Sequence, residues 1–244
     1  MRSRLLLLCC SLGWALSWGI PQAFAQTYFY DNFDDPNESE KKWVPLYGLW
    51  EFADGEYQQL QNAVNCMSVV ADEYWDEAWN DYTFEVLANK IAGAEGWLIM
   101  FRCQGMMQPR DVVLNDHPPR MADLRPSVQY WWNIGGWNNT RTGVERWIDG
   151  ARVEQGFREG HSIQSNQWYH IKIVNTPTGY ELYLDDELFA QVEDNTNDGK
   201  GRIGLATWNT TSRFDEVIVY GPDGPSLPVS PKGKLAAVWA ELKQ

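Results

Sequence analysis

Apolar and polar residues alternate with a period of two along most of this chain, in short runs separated by Gly, Asn or Asp clusters. In residues 168–174, Tyr169, Ile171 and Ile173 fall on one side and His170 and Lys172 on the other, the pattern of a strand with one packed and one solvated face. His170 is therefore expected to be a surface histidine in water. In residues 180–184, Leu182 and Leu184 point inward, and Asp185-Asp186-Glu187 turns the chain. Comparable runs rich in β-branched and aromatic residues cover 28–33, 50–52, 56–60, 67–71, 82–89, 97–103, 128–134, 143–148, 188–192, 202–207 and 214–220,. Asp54-Gly55, Asp149-Gly150, Thr178-Gly179 and Asp185-Asp186 supply residues that tolerate hairpin backbone angles. So many short strands at this spacing predict an all-β chain built as two stacked antiparallel sheets.

The two ends depart from that pattern. Arg2 and Arg4, then Leu5 to Leu8, then Ala23-Phe24-Ala25 have the order of a basic start, an apolar centre and a small-residue cleavage site. Residues 1–25 are therefore expected to be a signal peptide, with a mature start near Gln26 in a secreted or periplasmic protein. No other segment approaches the ~20 apolar residues of a membrane span, so no membrane insertion is expected. Residues 26–221 suit one β-sandwich. Residues 222–233, with Pro222, Pro225, Pro228 and Pro231, read as a stiff linker,. Residues 234–244 place Leu235, Val238, Trp239 and Leu242 on one stripe of a short amphipathic helix,. That helix either docks on the domain or tethers it to a secreted partner.

The formal net charge is −13, and it grows more negative once the two leader arginines are lost. Such a balance argues against nucleic acid or anionic lipid as partner and leaves neutral glycans or cations. Of 14 tryptophans in the chain, four fall together: Trp131, Trp132, Trp137 and Trp147, interleaved with Asn133, Asn138, Asn139 and Glu145. Flat aromatic faces suit the C–H faces of sugar rings, and amides, carboxylates and guanidinium groups suit sugar hydroxyls. Alternation along 143–147 puts Glu145 and Trp147 on one sheet face. Arg102, Trp132, Asn133, Trp137, Asn138 and Glu145 are the expected carbohydrate-binding residues, and the expected partner is a polysaccharide or oligosaccharide. The histidines His117, His161 and His170 lack zinc-site spacing,. Cys66 and Cys103, the cysteines that remain after leader removal, are either a disulfide or two buried thiols.

Tyr30-Asp31-Asn32-Phe33, Gly48-Leu49-Trp50-Glu51, Trp168-Tyr169, Leu182-Tyr183-Leu184-Asp185, Gly201-Arg202-Ile203-Gly204-Leu205 and Phe214-Asp215-Glu216-Val217 together resemble the concanavalin A-like jelly-roll superfamily, which includes laminin G-like modules. The stretch Gly96 to Arg102 followed by Tyr130-Trp131-Trp132-Asn133-Ile134-Gly135-Gly136-Trp137 is similar to the β-sandwich module that accompanies some family 51 α-L-arabinofuranosidases. The resemblance implies a two-sheet antiparallel jelly roll and, as function, non-catalytic recognition of polysaccharide. The catalytic (β/α)8 barrel of those enzymes is absent from the sequence pattern, and so is the Glu-x-Asp-x-Glu string of sandwich glucanases. No catalytic residue is therefore assigned. The alternatives are a glycoside-degrading enzyme of the same fold, including one resembling 3-keto-glycoside hydrolases through the strand ending in Phe101-Arg102, and a laminin G-like adhesion or scaffold domain. The resemblance also suggests one structural Ca²⁺ where the first and last strands meet, at Asp31 and Asp215. No cofactor is otherwise required.

Overall fold

The computed structural model describes residues 25–104, 128–149 and 151–226. The expected leader up to residue 24, the linker beyond 226, the terminal helix and His117 lie outside the described residues.

Two antiparallel sheets face each other. The first runs β13 (Glu187–Glu193), β12 (Gly179–Leu184), β11 (Trp168–Thr176), β6 (Tyr82–Gly93), β15 (Thr210–Tyr220), β4 (Glu56–Gln59) and β3 (Trp50–Ala53), with β1 (Thr27–Asp31) also on β15. The second runs β10 (Ala151–Glu159), β9 (Arg141–Ile148), β8 (Val128–Gly135), β7 (Trp97–Gln104), β14 (Arg202–Thr207), β5 (Cys66–Val70) and β2 (Trp43–Tyr47). The long β6–β15 and β6–β11 ladders run through the centre of the first sheet, Phe84 opposite both Val219 and Ile173.

Every strand expected from alternation is present. Two strands and a helix were not foreseen, and each has a physical reason. Strand β10 reads Ala-Arg-Val-Glu-Gln-Gly-Phe-Arg-Glu and is mostly exposed; it is an outermost strand, where charge is tolerated and blunts edge pairing. Strand β2 holds Pro45, which only an edge position accommodates. Helix α1 (Pro36–Lys42) is set by its ends: the Asp35 carboxylate accepts the N–H groups of Asn37 and Glu38, proline occupies the first turn and Lys41 and Lys42 the last,.

The core lies between the sheets. Phe84, Val86, Ile171, Ile173, Leu182, Phe214, Val217 and Val219 of the first sheet meet Trp97, Ile99, Phe101, Tyr130, Trp132, Ile134, Val144 and Leu205 of the second. A second apolar cluster, with Leu46, Met67, Val69, Leu98, Met100, Cys103, Trp131 and Ala206, lies on the opposite face of the second sheet. That sheet is therefore apolar on both sides, unlike a sheet with one wet face.

A bulge in β7 corrects the expectation for Arg102. Strict alternation after Trp97, Ile99 and Phe101 would turn Arg102 outward. Register slips between Phe101 and Gln104 against β8 and between Arg202 and Gly204 against β14, and Arg102 takes a left-handed φ of 50°,. Arg102 is thereby rotated into the interior, fully buried. Its Nε donates to Asn175 Oδ1 (2.5 Å), Nη1 to the Asp194 carbonyl (3.0 Å), and Nη2 to the Thr176 and Gly179 carbonyls (2.9 and 2.7 Å). The guanidinium lies 5.1 Å from the ring centres of both Tyr130 and Tyr180. Gly201 permits the bulge, since a Cβ there would come within 2.4 Å of the Arg102 backbone.

Of the two readings of the cysteines, the structure has two separate buried thiols. Cys103 pairs with Arg202 and Cys66 with Thr207 on opposite sides of β14, about 17 Å apart along that strand by its rise per residue alone, beyond any disulfide. Burial pushes Cys103 up to about 12 and Cys66 up to about 11.

His170 is also corrected. It faces away from the core, as alternation requires, but is only 4% exposed, because Glu85 and Asp186 close over it at 3.0 and 3.1 Å.

Candidate functional site

On the face of the second sheet turned away from the core, β8 presents Trp131 and Asn133, and β9 presents Glu145 and Trp147. Trp131 stands directly across from Glu145 in the β8–β9 register. Arg152 of β10 stands across from Trp147. Loops at one end of the sheet add Asn65, Glu95, Trp137 and Trp208. These nine residues line a groove of about 290 Å³.

The groove is wired across strands. Asn133 Nδ2 donates to Glu145 Oε1 at 2.9 Å, and Arg152 Nη1 donates to Glu145 Oε2 at 3.1 Å. The second Arg152 nitrogen meets Glu154 at 3.2 Å, and the guanidinium lies 5.9 Å from the Trp147 ring centre. Trp131, almost fully buried, donates its indole N–H to Gln129 at 3.1 Å and forms part of the floor. Asn133 Oδ1 and Trp147 Nε1 have no hydrogen-bond partner among the described residues. Leaving such a buried group unmet costs ~1–3 kcal/mol.

Trp137 is placed by a turn that the backbone resists. Between β8 and β9, Gly135, Trp137, Asn138 and Asn139 have φ of 70°, 49°, 57° and 60°. Asn138 and Asn139 are residue types that tolerate the left-handed region, but the bulky Trp137 there costs ~1–2 kcal/mol, so its place in the turn is held from outside. Glu95 Oε2 accepts the Trp137 N–H at 3.0 Å, and the Asn138 N–H also reaches this carboxylate. The Asn139 side chain exchanges two hydrogen bonds with the Ile163 backbone, at 2.8 and 2.9 Å. Thr140 Oγ1 donates to the Trp137 carbonyl at 2.7 Å, and the Arg141 guanidinium lies 4.7 Å from the Trp137 ring centre. Strain of this kind, held by its surroundings, clusters at functional sites. Burial pushes the Glu95 carboxyl above the usual carboxylate range, the two N–H groups partly offset this, and the Glu145 charge adds to the rise.

Of the six residues expected to bind, the structure brings Asn133, Trp137 and Glu145 together in the groove. Asn138 is exposed in the adjoining turn, outside the lining. Arg102 and Trp132 are elsewhere: Arg102 is drawn into the interior by the bulge, and Trp132 packs in the core with its ring 5.7 Å from that of Phe189. Trp132 could not share a face with Asn133, because adjacent strand residues point oppositely. The same parity identifies the missed Trp131, and it pairs Trp147 with Glu145. Arg152 follows from the Asp149-Gly150 hairpin, which returns it opposite Trp147. For Trp208 and Asn65 no local sequence signal exists, since both arrive on turns distant in the chain.

Asp31 does not fit a calcium ligand. Its oxygens accept from the Ser39 hydroxyl (2.9 Å), the Trp43 indole N–H (3.0 Å) and the Phe33 N–H (3.2 Å), and the Lys42 ammonium is 3.4 Å away. Donors and a cation surround it where a calcium site needs further oxygens. Asp215 is buried two positions from Val217, the register partner of Asp31, and accepts the Glu216 N–H. Among the described residues no group of three or more His, Cys, Asp or Glu side chains is placed to hold a metal. No described helix is long and apolar enough to cross a membrane.

The fold is a two-sheet antiparallel β-sandwich, similar to that of solved proteins with a galectin-like fold. A protein-family model described as a domain of unknown function, DUF6250, matches residues 107–217. Over 155 residues, 63% of this chain, the sequence is 31% identical to an extracellular exo-alpha-L-arabinofuranosidase of Streptomyces chartreusis, and the matched stretch spans 16% of that protein's length. Among solved structures, the carbohydrate-binding module CBM66 from Bacillus subtilis superposes with a TM-score of 0.54 at 18% identity, over 73% of this chain and 95% of the module. The Bacillus licheniformis beta-glucanase superposes with a TM-score of 0.53 at 12% identity, over 80% of this chain and 98% of the enzyme.

Proposed function

We propose that this protein is an exported carbohydrate-binding module that holds polysaccharide in the Trp131–Trp137–Trp147–Trp208 groove without cleaving it. One observation carries the reading: four indoles surround a cross-strand ladder of Asn133, Glu145 and Arg152 on the outward face of a sheet. The rings offer flat apolar faces to sugar C–H groups, and the ladder offers donors and acceptors to hydroxyls. The extracellular location of the Streptomyces relative supports export, and its arabinofuranosidase activity makes arabinose-containing glycan the first class to try. The CBM66 superposition supports binding as the task.

Hydrolysis is the second reading, favoured by one observation: Glu95 and Glu145 line the same groove, and paired carboxylates are what glycosidases use. Against it, both Glu145 oxygens are committed to Asn133 and Arg152, and Glu95 holds the turn. Pull-down on insoluble arabinan, arabinoxylan and β-glucan, followed by analysis of released sugar, separates the readings. Retention without release is the expected result. Release would establish hydrolysis, and neither retention nor release would leave a laminin G-like adhesion or scaffold role.

A further inference from the structure

The groove has an unbalanced charge. Two carboxylates, Glu95 and Glu145, and one guanidinium, Arg152, line it. Arg152 is spent inside the protein, with Nη1 on Glu145 at 3.1 Å and Nη2 on Glu154 at 3.2 Å, so it has no free fork for a ligand carboxylate. Glu95 takes the N–H groups of Trp137 and Asn138, which hold the carboxylate without neutralising it. Lys90, the cation that acts on it, is only 3% exposed, and burial opposes its charging. The chain as a whole adds a long-range field of the same sign, at −13,.

We infer that Glu95 makes the groove selective for neutral glycans and excludes sugar residues that carry a carboxylate. This deepens the polysaccharide-binding reading and rests on it. The physical basis is that a like charge brought beside a half-buried carboxylate is costly, and protein surfaces use that cost to suppress wrong partners. The groove is not a bare acidic cluster: it is a formed cavity of about 290 Å³ in which the two carboxylates stand among four indoles. Glu95 thus has two duties through one side chain, since the carboxylate that holds Trp137 over the groove also sets its sign. Glutamine separates them, because its amide oxygen still accepts the Trp137 N–H while the charge is gone.

The test measures binding of neutral arabinan oligosaccharides and of glucuronoxylan and oligogalacturonate fragments, each acidic fragment in its native form and after reduction of the uronate to the neutral sugar. The proteins are wild type, Glu95→Gln, and Glu193→Gln as a control for net charge on the first sheet. Wild type is expected to bind neutral members at least about tenfold more tightly than acidic counterparts. Glu95→Gln is expected to close most of that gap, and Glu193→Gln to leave it unchanged. Wild type binding native acidic fragments as well as their reduced forms overturns the selectivity while leaving glycan binding intact. Discrimination that Glu95→Gln does not relax overturns the role of Glu95. Failure of wild type to bind any member overturns the binding reading, and this inference with it.

Discussion

Trp131 and Trp132 are adjacent in the chain and lie on opposite faces of β8, the first in the floor of the groove and the second in the core between the sheets. The same residue type therefore serves two energetically distinct ends within one peptide unit, and mutagenesis separates them.

Trp137→Ala removes a groove wall without opening the core. Its expected effect is a loss of about 1–3 kcal/mol in glycan affinity, on the scale of stacking against aromatic side chains, with little change in unfolding midpoint. Trp132→Ala should instead cost about 3–5 kcal/mol of stability, as for large-to-small changes in a packed interior. Calorimetric titration and urea unfolding on both variants check the contrast. Loss of stability in Trp137→Ala equal to that in Trp132→Ala would contradict it.

Gly136 lies against Asn133. A Cβ at this position would fall 2.3 Å from Asn133 Oδ1, so Gly136→Ala has to displace the amide that donates to Glu145. Glycan affinity is expected to fall at least about tenfold while the fold persists, because the clash is with one side chain. Retention of the Asn133–Glu145 hydrogen bond in a structure of this variant would argue against the coupling.

Asp194 closes the acid side of the stability profile. Burial opposes its charge, but donors from Gln155, Thr196 and Tyr130 outweigh it and hold the carboxyl at about 2, with Arg146 at 3.0 Å and Arg102 at 3.6 Å alongside. A depressed carboxylate stabilises the folded state fully above its unfolded value of about 3.9 and loses that contribution as pH falls toward 2. Asp194→Asn should destabilise the protein at neutral pH and flatten the loss of stability between about pH 4 and pH 2. Urea midpoints across that range provide the measurement.

His170 acts in the opposite direction. Burial disfavours its charge, yet the hydrogen bonds and charges of Glu85 and Asp186 prevail and raise it above the usual 6.5. A raised histidine stabilises fully below its unfolded value and loses that contribution as pH rises through the folded one. The wild type should therefore weaken on the alkaline side of about pH 6.5, and His170→Gln should weaken less steeply there. Parallel slopes for the two proteins would remove His170 from the account.

The sandwich was legible because alternation is a local property: Tyr169, Ile171 and Ile173 need only one another to declare a face. Edge strands were less legible, since β10 carries charge where alternation would show apolar residues, and β2 carries Pro45. The groove was legible by composition, as the Trp131–Trp147 segment supplies five of its nine residues, Trp131, Asn133, Trp137, Glu145 and Trp147. Assigning faces required parity within that segment, which selects Trp131 over Trp132. Arg102 was beyond parity altogether, because one bulge reverses every side chain after it. His170 shows a further limit: its direction was readable from the strand, but the carboxylates that cover it come from β6 and from the β12–β13 turn.

Arg102 fastens the two layers by gripping three main-chain oxygens, at Thr176, Gly179 and Asp194, and one amide side chain. Every residue type offers a carbonyl, so this rivet recognises the path of the chain and is nearly blind to its spelling. The loops it pins can accordingly change their letters freely as long as they keep their route, which leaves the opposite face of the second sheet free to be rewritten for a new ligand without loosening the frame beneath it.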